Sequence, residues 1–92
     1  MIIRILTEGQ YRVPSSVLDR LNRLDNRIVE AVAAGNGKDY QRLLGQMLEL
    51  VRQKGKPLDL QELTESDVIL PAPDTTLQEA RRLFRGEGAI PG

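Results

Sequence analysis

The chain of 92 residues contains no cysteine, no histidine and no tryptophan. Without cysteine there is no disulfide framework, no thiolate nucleophile and no thiolate metal site. Without histidine it lacks the commonest general base and the commonest metal ligand. Its three aromatic residues, Tyr11, Tyr40 and Phe84, are too few to build stacking platforms for single-stranded nucleic acid. Charge of one sign is also missing. Thirteen basic and thirteen acidic side chains cancel, so no net field draws the chain to phosphate backbones or anionic lipid. No apolar run approaches the roughly 20 residues of a membrane span, and Met1-Ile2-Ile3-Arg4 lacks the pattern of a signal peptide. The expectation is a cytoplasmic, non-enzymatic protein without cofactor, metal or catalytic residues.

What is present is an ordinary folding composition, 40% hydrophobic and 28% charged, at a length suited to one modest core. Ile2, Ile3, Ile5 and Leu6 are β-branched-rich and too short a run for a helix, so they predict a strand. Its near-continuous apolarity implies burial on both faces or a partner covering the outer one. Gly9 supplies the positive φ of a tight turn, and residues 10–13 return antiparallel until Pro14, which cannot donate to a ladder. A hairpin over residues 2–13 is marginal alone and must pack on something.

Helices supply that support. Ser15 or Ser16 is the expected N-cap of a first helix over residues 16–34, with Asp19 in its first turn. Val17, Leu21, Leu24, Ile28 and Val32 share one face, and Gly35 is the expected left-handed residue that ends it. Tyr40, Leu43, Leu44, Met47, Leu48 and Val51 stripe a second helix, residues 38–54, stopped by Gly55 and Pro57. So short a linker makes the pair an αα-hairpin. Gly45 falls on the opposite face, at a cost of about 1 kcal/mol against alanine. Either the position is tolerant and exposed, or a partner helix approaches closely there.

Residues 56–73 form an acidic, extended segment in which Val68-Ile69-Leu70 reads as a short strand or an apolar tether. Whether it joins the hairpin as a third strand is left open by local pattern. Thr76 and Glu79 have capping-box spacing and start a third helix, residues 76–85. The apolar Ile90 within Gly86–Gly92 suggests a docked tail rather than a frayed one. The fold class is therefore α+β: an N-terminal hairpin packed on an αα-hairpin, an extended segment and a third C-terminal helix.

Arg20, Arg23 and Arg27 recur at i, i+3 and i+7, one line along helix 1. Asp19 is placed to neutralise part of it; otherwise the line is a basic ridge for an acidic partner helix. Gly35-Asn36-Gly37-Lys38 has the look of a phosphate loop, but Asp39 follows the lysine and no strand precedes it. The carboxylates of residues 59–67 have no histidine, metal cluster or nucleophile to work with.

Several segments together resemble one family. They are Met1-Ile2-Ile3-Arg4-Ile5-Leu6 with Glu8-Gly9-Gln10-Tyr11, Leu18-Asp19 through Leu21-Asn22, and Leu50-Val51-Arg52 with Gly55 and Pro57-Leu58. Further on come Ser66-Asp67-Val68-Ile69-Leu70-Pro71 to Pro73-Asp74, and the terminal Glu87-Gly88-Ala89-Ile90-Pro91-Gly92. In this order they resemble the PspA-associated protein family (PspAA) of bacterial and archaeal phage-shock-type envelope-stress systems. The resemblance implies a small cytoplasmic adaptor or regulator of PspA, a coiled-coil protein at the inner membrane surface. It transfers no catalytic residue, and membrane contact would run only through the partner. The hairpin then suggests a homodimer built on residues 2–13, with Ile3, Ile5, Tyr11 and Val13 at the shared edge. The alternative from another class is a small DNA-binding transcriptional regulator or antitoxin-like domain, against which the neutral charge weighs.

Overall fold

In a computed structural model, which describes residues 1–59 and 64–83, the opening isoleucines form β1 (Ile2–Ile5) and the return strand is β2 (Gly9–Arg12). They pair antiparallel in the register Ile2↔Arg12 to Ile5↔Gly9. Gly9 takes φ +125°, as the turn requires. Thr7 also lies at positive φ, 76°, an uncommon place for a β-branched residue, and the Glu8 N–H donates to Ile5 O at 3.0 Å to close the turn.

Two further strands complete a four-stranded sheet of order β3-β2-β1-β4. The first, β3 (Lys56–Pro57), pairs antiparallel with β2, and β4 (Val68–Leu70) pairs parallel with β1, Ile3 opposite Val68 and Ile5 opposite Leu70. The open question over Val68-Ile69-Leu70 is thereby answered: the segment is a strand. Asp67 fixes its approach, because its N–H donates to Ile2 O at 2.8 Å and its carboxylate accepts from Ile2 N at 2.7 Å. β1 consequently lies inside the sheet, between β2 and β4. Ile3 and Ile5 are fully buried and Val13 nearly so, within one core shared with Val68, Leu70 and the helices. The apolarity of β1 is consumed within the protomer.

A single 3-10 turn, Ser15–Val17, leads into α1 (Leu18–Ala34). Neither serine caps the helix through its side chain, contrary to expectation; Pro14 bends the chain and the Val17 N–H bonds to Pro14 O instead. At the other end Gly35 is left-handed, φ 70° and ψ 23°, with its N–H on Val32 O and that of Asn36 on Ala31 O, the paired bonds of a Schellman motif. Asn36 then caps α2 (Gly37–Lys54) by accepting from Asp39 N at 3.1 Å. Two residues thus end one helix and start the next, and α1 and α2 fold back on each other.

The last turn of α2 meets β2 at Gly55, whose φ of −89° any residue adopts. What requires glycine is space. A Cβ there would lie 2.6 Å from Val51 O, 3.1 Å from Tyr11 Cβ and 3.2 Å from Val13 Cγ2. The final described helix is α3 (Leu77–Leu83). Thr76 Oγ1 accepts from Glu79 N, and Thr76 N donates back to the Glu79 carboxylate, so the capping box forms as its spacing predicts. The last residues assigned to that helix, 84–85, and the tail expected to dock, 86–92, lie outside the described residues.

Candidate partner-binding face

Arg20, Arg23 and Arg27 stand exposed along α1. Arg23 turns its Nε to the backbone O of Asp19 at 3.4 Å rather than to the carboxylate expected to neutralise it. Among the described residues no carboxylate forms an ion pair with any of the three. They border a depression of about 450 Å³ between the helices, completed by Leu24 of α1 and by Gln46 and Leu50 of α2. A second depression, about 430 Å³, continues from it past Arg20, Gln46 and Leu50 to Gly45 and Arg42. Arg42 and Arg27 then meet again at a third, about 370 Å³, beside the α1–α2 connection.

The result is one shallow trough with an apolar floor and arginine edges. Its acidic members are largely engaged: Asp39 pairs with Arg42 at 3.5 Å, and Glu49 with Arg52 at 3.5 Å. Glu30, which borders the third depression, is in no such pair, so the uncompensated sign is positive along Arg20, Arg23 and Arg27 rather than throughout. Apart from its own stretch of helix, an ideal Cβ on Gly45 would find no described residue within 4 Å, so among the described residues the trough is open over the helix backbone there.

The rest of the molecule offers less. Arg52 donates from Nε to both oxygens of Glu8 at 3.1 Å, tying the β1–β2 turn to α2. Those hydrogen bonds hold the guanidinium above its ordinary pKa. Tyr40 is wholly buried and its hydroxyl has no hydrogen-bond partner among the described residues; burial first and Glu79 second push its pKa up to about 12. Asp25 sits 1% exposed on the inward face of α1, and its carboxylate is partnered. Sequence reading passed over it, although a carboxylate between Leu21 and Ile28 in the apolar stripe was a visible signal. Among the described residues no group of three or more acidic side chains is arranged to hold a metal ion.

The residues expected at a shared dimer edge have these places in the single chain. Ile3, Ile5 and Val13 belong to the core, and Tyr11 packs half-buried against it beside Gly55. The large apolar side chains left exposed among the described residues, Leu6 and Ile69, lie toward the β4 side of the sheet, where Leu6 N donates to Leu70 O at 3.0 Å.

Fold and trough define, among the described residues, a small α+β module with an open, arginine-edged helical face. The chain belongs to the PspA-associated protein family: the family model described as PspA-Associated protein (PspAA) matches residues 1–92, its whole length. The family description carries association with PspA. No curated protein and no solved structure matches the chain. Among the described residues no helix is long and apolar enough to cross a membrane.

Proposed function

We propose that this chain is a non-enzymatic adaptor or regulatory module that associates with PspA in the envelope stress response. The observation that carries the reading is the family match over the whole chain, which takes in both helices of the trough. In this reading PspA is a coiled-coil protein on the inner face of the cell membrane. The module is cytoplasmic and reaches the membrane only through that partner. Arg20, Arg23 and Arg27 are the contact residues, facing an acidic stripe on PspA. Three unpaired cations on one rigid helix steer an acidic partner and set its register, while the apolar floor supplies the area that desolvation rewards.

Co-elution of the purified chain with PspA on a sizing column tests it. The wild type is expected to co-elute. The triple charge reversal Arg20→Glu, Arg23→Glu, Arg27→Glu is expected to abolish co-elution with the melting temperature preserved. Unchanged co-elution of that variant refutes the contact residues. A wild type that ignores PspA and binds duplex DNA with steep salt dependence overturns the function itself.

A further inference from the structure

Gly45 is an exposed glycine in the interior of an 18-residue helix. Glycine there costs helix stability, and apart from its own stretch of helix no described residue lies within 4 Å of where a Cβ would be. Packing among the described residues therefore does not require the missing side chain, unlike Gly55, whose Cβ would strike a backbone oxygen. The bare backbone lies in the floor of the trough, beside Leu50 and between Arg20 and Arg42.

We propose that the trough takes a single amphipathic helix of PspA, seated over Gly45 with its apolar stripe on Leu24 and Leu50 and carboxylates toward Arg20, Arg23 and Arg27. This deepens the adaptor reading and rests on it. Charge selects the occupant: among the described residues Arg20, Arg23 and Arg27 are in no ion pair, Asp39 and Glu49 are engaged, and the one acidic lining residue outside an ion pair, Glu30, stands at the far end beside the α1–α2 connection, so an acidic surface is complementary to the arginine line. Shape narrows it further. Two packed helices leave a furrow into which a third helix fits at an axial distance of roughly 8–10 Å, and the closest approach falls where a side chain is absent. Arg20 to Arg27 spans two helical turns, roughly 10 Å, so carboxylates at i, i+3 and i+7 of the incoming helix meet the line in register.

Gly45→Leu separates this from mere association. Leucine is a better helix former than glycine, so the variant is expected to melt no lower than wild type while filling the trough. Titrated with PspA by fluorescence anisotropy, it is expected to bind about tenfold more weakly or worse, whereas Gln78→Leu on α3 binds as wild type. Because the chain has no cysteine, Gly45→Cys carries a unique thiol; PspA is expected to slow its alkylation and to leave that of Gln78→Cys unchanged. Wild-type binding with an unaffected Gly45→Leu overturns the trough and leaves association with PspA standing. Protection of Gly45→Cys by anionic lipid vesicles without PspA overturns the choice of occupant. No wild-type binding to PspA takes down both readings.

Discussion

The two sides of α2 answer to different partners. On the inner side, Tyr40, Leu44, Met47 and Val51 are buried in the core, and Gly55 lets the helix end touch β2 with no room for one more carbon. Facing away, Gly45 and Gln46 are exposed, and the glycine has open space where its neighbour on the inner side has none. Glycine on the inner side is explained by the protomer; glycine on the outer side is not. The same residue type thus reports two causes, and only the structure separates them. Where the chain's own atoms demand the residue, substitution should damage the fold. Where they do not, it should improve the fold and harm whatever the surface is for.

The largest effect tests the inner side. Gly55→Ala should lower stability by about 2 kcal/mol, the range expected when a carbon is forced into a filled seam. The loss cannot be absorbed by a flexible side chain, because the nearest atom is the backbone oxygen of Val51. A drop in denaturant midpoint at constant slope would confirm it, and a midpoint equal to wild type would show that α2 and β2 slide apart without cost.

Tyr40 gives a second reading of that side through pH. Its phenol ionises near 10 in the unfolded chain and about 12 in the folded one. Below the unfolded value both states keep the proton and the contribution to stability is fully present. As pH rises through the window up to about 12 the unfolded chain releases a proton that the folded chain retains, so stability is lost. Thermal melts below and within the window should show the decline, and Tyr40→Phe should flatten it. At neutral pH that variant should hold or raise the melting temperature, since the removed hydroxyl has no partner.

How much of this was legible in the residues depended on range. Gly9, Pro14, the apolar stripes of both long helices, Gly35 and the Thr76–Glu79 box are local signals, and each appears in the structure in its expected role. Ser15 and Ser16 failed as caps because Pro14 set a tighter turn before either could bond the helix. Asn36 caps the second helix directly after the left-handed Gly35, a role that the second helix's expected start at residue 38 did not include. The parallel pairing of β4 with β1 had no local signal, because three apolar residues do not say which strand they will find. The arginine line was visible as a spacing on one helix, but the trough was not. Its floor combines Leu24 with Gln46 and Leu50, positions brought together only by the fold.

The smallest effect has the opposite sign and bears most directly on the comparison. Gly45→Ala should raise stability by about 1 kcal/mol, the difference in helix propensity with no clash to offset it. Alanine adds only a methyl group, so the change isolates backbone entropy from the bulk introduced by leucine. A gain in melting temperature would establish that the protomer tolerates and even favours a side chain at this position. Paired with a measurable weakening toward PspA, smaller than that of Gly45→Leu, it would show that close approach from outside accounts for the bare backbone. A variant no more stable than wild type would mean that the outer side of α2 is constrained from within after all, and the distinction between its two glycines would disappear.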